Sequence, residues 1–344
     1  MLARLHLLMP YAVTIAEGEE FRIAEGKDGD YIVQFLPPMR DEAALTGQRP
    51  SSLTLDGKPA VEANVMRIDF RKDSFERKVD TSIDPPEEVI RRAVELFHSR
   101  LRFVTRAAHA QPISFPHGGV WRLDYTNDDG SPLEAREGYA RSKRTKHIRW
   151  SFIGLSRGIW DSLFSLPSGF VVPVWDELHL DALAALPNVG TAVVLAATSL
   201  EVFISVLLDN LAAKRGLSST LWEWIKDREG RILQQPSVEE QFDVLLKELS
   251  GHSLKEKAEL WEAFKKIKHA RNKFVHEGIA KIGNSILTAE DAAPLLHRVN
   301  EIISTVREWI PEELKWPAPQ EKVEVEATHT LIEPSKPETK ESQT

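Results

Sequence analysis

Residues 270–278 read ARNKFVHEG, which sets Arg271, Asn272 and His276 within six positions. The trio offers a permanent cation with a planar fork of donors, a neutral amide, and an imidazole that exchanges a proton near neutral pH. At ~100° per residue of helix, Leu260, Phe264, Ile267 and Phe274 share a stripe roughly 80° wide, and Arg271 lies inside it, roughly 20° from Leu260. Asn272 and His276, spaced i,i+4, flank the stripe, with Lys265 and His269 on or near that flank. A guanidinium removed from water without a partner is heavily unfavourable. The sequence must therefore supply a counter-ion.

The segment TAVVLAATSLEVFISVLLDNLAAKRG, from Thr191 to Gly216, offers one. It is apolar almost throughout, and Thr191, Thr198, Glu201, Ser205 and Asp209 form a polar stripe roughly 80° wide. A helix of this kind is buried nearly all round and has something polar to face. We expect Glu201 to pair with Arg271. Thr198, Ser205 and Asp209 read as packing groups.

A chain of 344 residues suits two domains. Residues 1–155 show short, partly alternating runs bounded by Gly, Asp or Pro (EEFRIAEG, DYIVQFLP, SSLTLDG, AVEANVMRIDF, GVWRLDY) and one amphipathic helix within DPPEEVIRRAVELFHSRLRFVTRAA. This is an α+β pattern. Residues 173–312 read as helix after helix. Four capping-box-like starts (Thr220/Glu223, Ser237/Glu240, Ser253/Glu256, Thr288/Asp291) predict an all-α helical bundle. Residues 317–344 are rich in Pro, Glu and Lys, with little to bury, and predict a disordered tail.

The spacing in RNKFVH, Arg with Asn beside it and His after four intervening residues, resembles the signature of HEPN domains. These are helical bundles common among prokaryotic ribonucleases of toxin–antitoxin, CRISPR-type and anti-phage defence systems. The upstream stretches LHLDALAAL and AVVLAATSLEVFISVLLDNL resemble the earlier helix pair of such domains, in-helix acid included. The resemblance covers about residues 173–312 and leaves the N-terminal half, a sensor or substrate-selection module on this reading, without a family. It implies metal-independent RNA cleavage, without cofactor, in a cleft shared across a homodimer. A regulatory partner such as an antitoxin would hold the enzyme in check. On this reading His276 is base or acid, Arg271 contacts the phosphate, Asn272 orients phosphate or imidazole, and Glu201 holds Arg271. Lys265, Lys268, His269 and Lys273 would contact RNA, and the basic run ARSKRTKHIR at 140–149 would extend their path.

Blander readings stay open. Arg271 could be a structural ion pair, His276 a surface residue next to the Gly278 C-cap, and the lysines a solvated face. A HEPN-like scaffold that binds RNA or nucleotide without cleaving it fits the same residues. Other chemistries are excluded more firmly. The chain has no cysteine, which removes disulfides, Cys nucleophiles and Cys-containing zinc sites. A net charge of −8 argues against a surface built wholly for nucleic acid. The G-x-S-x-G match at 154–158, with Ser156 as nucleophile and His117–Gly119 as oxyanion loop, lacks the parallel sheet of a hydrolase, because the downstream half reads as helices only and offers no further strands to carry an acid and a His. The apolar N-terminus, interrupted by His6, Pro10 and Tyr11, reads as a strand rather than a signal peptide. No uninterrupted run approaches the ~18 apolar residues of a membrane span. A cytoplasmic location is the expectation.

Overall fold

The computed structural model describes residues 2–41, 52–73, 84–113, 115–116, 120–127, 131–138, 153–226, 235–317 and 325–328. It has the expected class, an antiparallel sheet region followed by a mostly helical half. The division is not strictly sequential. One unit comprises residues 1–98, 110–168 and 320–344, and the other residues 99–109 and 169–319.

The first unit is built on β1 (Leu2–Ala16), β2 (Ala24–Asp28), β3 (Tyr31–Met39), β4 (Ser52–Leu55), β5 (Lys58–Arg71), the first part of α1 (Glu87–Thr105), β6 (Trp121–Thr126), β7 (Pro132–Gly138), β8 (Ile153–Gly154) and α2 (Arg157–Ser165). In β1 the alternate residues Ala3, Leu5, Leu7, Met9, Tyr11 and Val13 are buried, the period-2 signature of a strand with one face on the core. β1 pairs antiparallel with β5 and β6. Its register with β5 shifts between Leu8 and Val13, where Pro10 has no N–H to give to the ladder. Aromatic rings close the covered face: Phe35 lies 4.9 Å from Phe164 and 6.3 Å from Phe97 between centroids.

The second unit contains the end of α1, α3 (Val174–Ala184), α4 (Val189–Lys214), α5 (Ser219–Lys226), α6 (Val238–Glu240) continued through a π turn (Gln241–Leu245) into α7 (Leu246–Ser250), α8 (Ala258–Glu277), the hairpin of β9 (Lys281–Ile282) and β10 (Ser285–Ile286), and α9 (Ala289–Glu308). α4 is the central helix and packs on α3, α8 and α9. Its best 18-residue window, mean hydropathy 2.1, is apolar enough to cross a membrane, so the expectation that no segment meets that test is corrected. The window is 56% buried inside the unit, and its apolarity is that of a helix packed on several sides.

Two of the expected helix starts need revision in detail, those at Ser253 and Thr220. Ser237 forms the full capping box with Glu240. Ser253 and Glu256 form one too, but around a single 3-10 turn, and Lys257 (φ −110°, ψ 81°) interrupts before α8 begins. Thr220 is not a cap: α5 starts at Ser219, with the Ser218 hydroxyl accepting from Leu221 N. Thr288 caps α9 by accepting from Asp291 N, while its own hydroxyl donates to the Asp291 carboxylate. In the tail, Val325–Thr328 forms β11, antiparallel to β4. The expectation of disorder is corrected for those four residues.

Candidate active site

α8 presents the stripe read from the sequence. Leu260, Phe264 and Ile267 are buried, and Phe274 is partly buried against the same core. The helix stops at Gly278, whose φ of 75° favours glycine and whose N–H donates to Phe274 O at 2.8 Å. Arg271 is half-buried in this stripe. Its Nη1 donates to Asn272 Oδ1 at 3.1 Å, and its Nε is buried without a hydrogen-bond partner among the described residues. His276 is exposed on the last turn. It is five residues from Arg271, ~140° around the axis, so one helix does not aim both side chains at one point.

The expected Arg271–Glu201 pair does not form among the described residues, where Arg271 bonds only to Asn272. The packing of α4 on α8 gives the reason. Phe274 abuts Gly190 near the start of α4, while Phe264 touches Phe242, which touches Phe203. The two helices therefore run antiparallel. Glu201 lies eleven residues beyond Gly190, ~16 Å along the axis, whereas Arg271 is only ~4.5 Å from Phe274 at 1.5 Å per residue. The two charges sit at different levels. Glu201 is instead half-exposed on the polar stripe of α4. Lower on that stripe, Asp209 accepts from Trp222 Nε1 at 2.7 Å and from Lys226 Nζ at 2.9 Å, so α5 is what this part of the stripe faces.

The lysines expected to meet RNA have acidic partners. Lys265 pairs with Glu262 at 2.6 Å, Lys268 with Glu239 at 2.8 Å, and Lys273 with Glu277 at 2.5 Å. The run has no acid of its own, but acids one turn away and on α6 reach it. Hydrogen bonds from Lys273 and Lys281 hold the Glu277 carboxyl below its ordinary range. Lys266 and His269 are exposed. The basic run at 140–149 lies outside the described residues, as does the 117–119 loop. Ser156 does sit between a short strand and a helix, β8 being parallel to β1. Its backbone is relaxed (φ −80°, ψ 164°) and its hydroxyl accepts from Ile159 N as the cap of α2, not the strained exposed serine of a hydrolase elbow.

A polar cluster that sequence reasoning did not single out lies inside the helical unit. Arg106, in the left-handed region (φ 53°) just past α1, donates from Nη1 to Asp176 Oδ1 at 2.6 Å. Its Nη2 reaches His179 Nδ1 at 3.1 Å and Asn300 Oδ1 at 3.3 Å. Arginine only donates, so His179 Nδ1 accepts and the proton sits on Nε2, 3.0 Å from Leu296 O. Burial, then the Arg106 charge, lower the His179 pKa to about 3, and burial raises that of Asp176. His179 and Asp176 are buried, which makes this a structural clamp on the end of α1. The i,i+3 spacing of Asp176 and His179, which puts both on one face of α3, was the available signal. Nothing in the sequence marks Arg106 as the residue with positive φ.

Among the described residues, no group of three or more His, Asp or Glu is placed to hold a metal ion. Comparison of the chain with protein-family models, with curated proteins and with solved structures found no match.

Proposed function

We propose that the helical unit is a HEPN-type, metal-independent endoribonuclease, cytoplasmic, acting as a homodimer in prokaryotic defence or a toxin–antitoxin setting. One observation carries the reading: a guanidinium lodged in a helix-packing stripe, steered by the neighbouring Asn272, with its Nε buried and without a partner among the described residues. A half-buried guanidinium with one donor left unpaired is a mark of function more than of packing. Arg271 would bind the scissile phosphate and the charge that grows on it. His276 would take the proton of the ribose 2′-OH as O2′ bonds to phosphorus. The P–O5′ bond then breaks, and a His276 from the second copy protonates O5′, leaving a 2′,3′-cyclic phosphate and a 5′-hydroxyl. Because Arg271 and His276 diverge around one helix, a second copy is needed to complete the cleft.

A non-catalytic scaffold is the alternative, and a specific observation favours it: the three lysines are paired internally and Glu201 does not hold Arg271. Expression in a bacterial host discriminates. The ribonuclease reading expects growth arrest relieved by His276→Ala; equal growth with both proteins supports the scaffold.

A further inference from the structure

The helix α4 is more apolar than its cover explains. Its best 18-residue window has mean hydropathy 2.1, yet only 56% of that window is buried. The uncovered part is a single stripe. Val194, Leu195, Thr198, Val202, Ser205 and Val206 fall within roughly 120° at ~100° per residue, and each is half-buried or exposed. Leu195, Thr198, Val202 and Ser205 follow the alternating three- and four-residue spacing of a helix-pairing seam, and the small Thr198 and Ser205 permit a close approach.

Two opposite charges border this seam, and neither is neutralised within the described residues. Glu201 is half-exposed, with no hydrogen bond or ion pair there. The Arg271 guanidinium reaches only the neutral amide of Asn272, at 3.1 Å, and its Nε is buried without a partner among the described residues. Their positions are related. Because Phe274 abuts Gly190 and the helices are antiparallel, Arg271 stands near the level of Val193. Glu201 lies ~12 Å further along α4 and only ~20° around it from Gly190, hence on the side that faces α8. A twofold axis crossing α4 midway between those levels, at Ala197 and Thr198, exchanges them. It brings Glu201 of one copy to the level of the partner's Arg271, and does so twice.

We propose that two copies of this chain pair antiparallel along α4, with Glu201 of each copy neutralising the partner's Arg271. The same axis sets Val194 opposite the partner's Val202 and closes the apolar seam. A second copy fits better than an unrelated protein, because one operation supplies both missing counter-ions and the apolar cover together. The pair itself is read from the helix faces alone. Only its role rests on the ribonuclease reading: the partner's Glu201 would stand where Arg271 takes a phosphate. The two His276 would also lie ~28 Å apart along the axis. This is a resting pair, which must open before the catalytic cleft forms.

Sedimentation equilibrium of the full chain at micromolar concentration tests the pairing. The wild-type chain should be a dimer. Glu201→Arg, at a half-exposed side chain, should weaken it by about a hundredfold by setting like charges together, and Arg271→Glu should do the same. The double variant should recover most of that loss. Thr198→Arg, at the axis, should break the seam without altering either charge, and it keeps the test open if Arg271→Glu fails to fold. A monomeric wild type, or a dimer as tight in Glu201→Arg as in wild type, would overturn the proposal. Because the readout is mass, a chain that never cuts RNA would remove the ribonuclease reading and leave the pair standing.

Discussion

The ring of Phe274 occupies the space that a side chain at position 190 would need. A Cβ on Gly190 would stand 2.0 Å from Cε2 of that ring and 2.4 Å from its Cζ. This contact fixes the last turns of α8, and with them Arg271 and His276, against the start of α4.

Gly190→Ala should therefore overpack the junction and destabilise the protein by about 1–3 kcal/mol, partly recovered when Phe274→Leu is added to make room. Urea unfolding of the two single variants and the double variant measures this. Simple additivity of the single effects would show that the contact does not couple the two helices.

The clamp on α1 makes a larger prediction. Arg106→Ala leaves the Asp176 carboxylate buried without its cation, and removing one member of a buried pair costs about 3–5 kcal/mol. The side chains of Arg106 and Asp176 are 11% and 4% exposed, so water cannot easily take the place of the guanidinium. The midpoint of urea unfolding should fall accordingly. A shift as small as that of an exposed pair such as Arg298–Glu301 would contradict the clamp.

His179 sets a pH dependence. Its folded pKa is depressed from 6.5 to about 3, so between those values the unfolded chain binds a proton that the folded protein refuses. Stability attributable to this group is present above pH 6.5 and is lost as pH falls toward 3, by up to ~1.4 kcal/mol per pH unit. Asp176, raised by burial, acts in the opposite sense at the acid end. Unfolding free energies across this range should slope downward toward acid, and His179→Gln should flatten the slope. An unchanged slope in the variant would assign the effect to other groups.

How much of this could be read beforehand differs from residue to residue. The buried stripe of α8 and the alternation of β1 were legible because each depends only on local periodicity. So was the Ser237 capping box, which closes over four residues. The level of Glu201 relative to Arg271 was not, because it depends on how far two antiparallel helices slide past each other, which no spacing within either helix encodes. The pairing of Lys268 with Glu239 was hidden for the same reason, since the two are on different helices. β11 escaped because composition marks Val325–Thr328 as part of a polar tail, while its strand exists only through β4.

The basic face should contribute little beyond its exposed members. Lys268→Ala removes a cation already paired with Glu239 and should change RNA affinity far less than Arg271→Ala. Filter binding at two salt concentrations measures it. A loss equal to that of Arg271→Ala would restore the lysines as primary contacts.

The most direct measurement is cleavage of a 5′-labelled RNA by the purified chain in EDTA, beside the same strand carrying 2′-deoxy residues. A HEPN-type site should give cut RNA ending in 2′,3′-cyclic phosphate, an intact deoxy strand, and a loss of about a hundredfold or more in both Arg271→Ala and His276→Ala. Cleavage that survives both substitutions, or that proceeds equally on the deoxy strand, would contradict it.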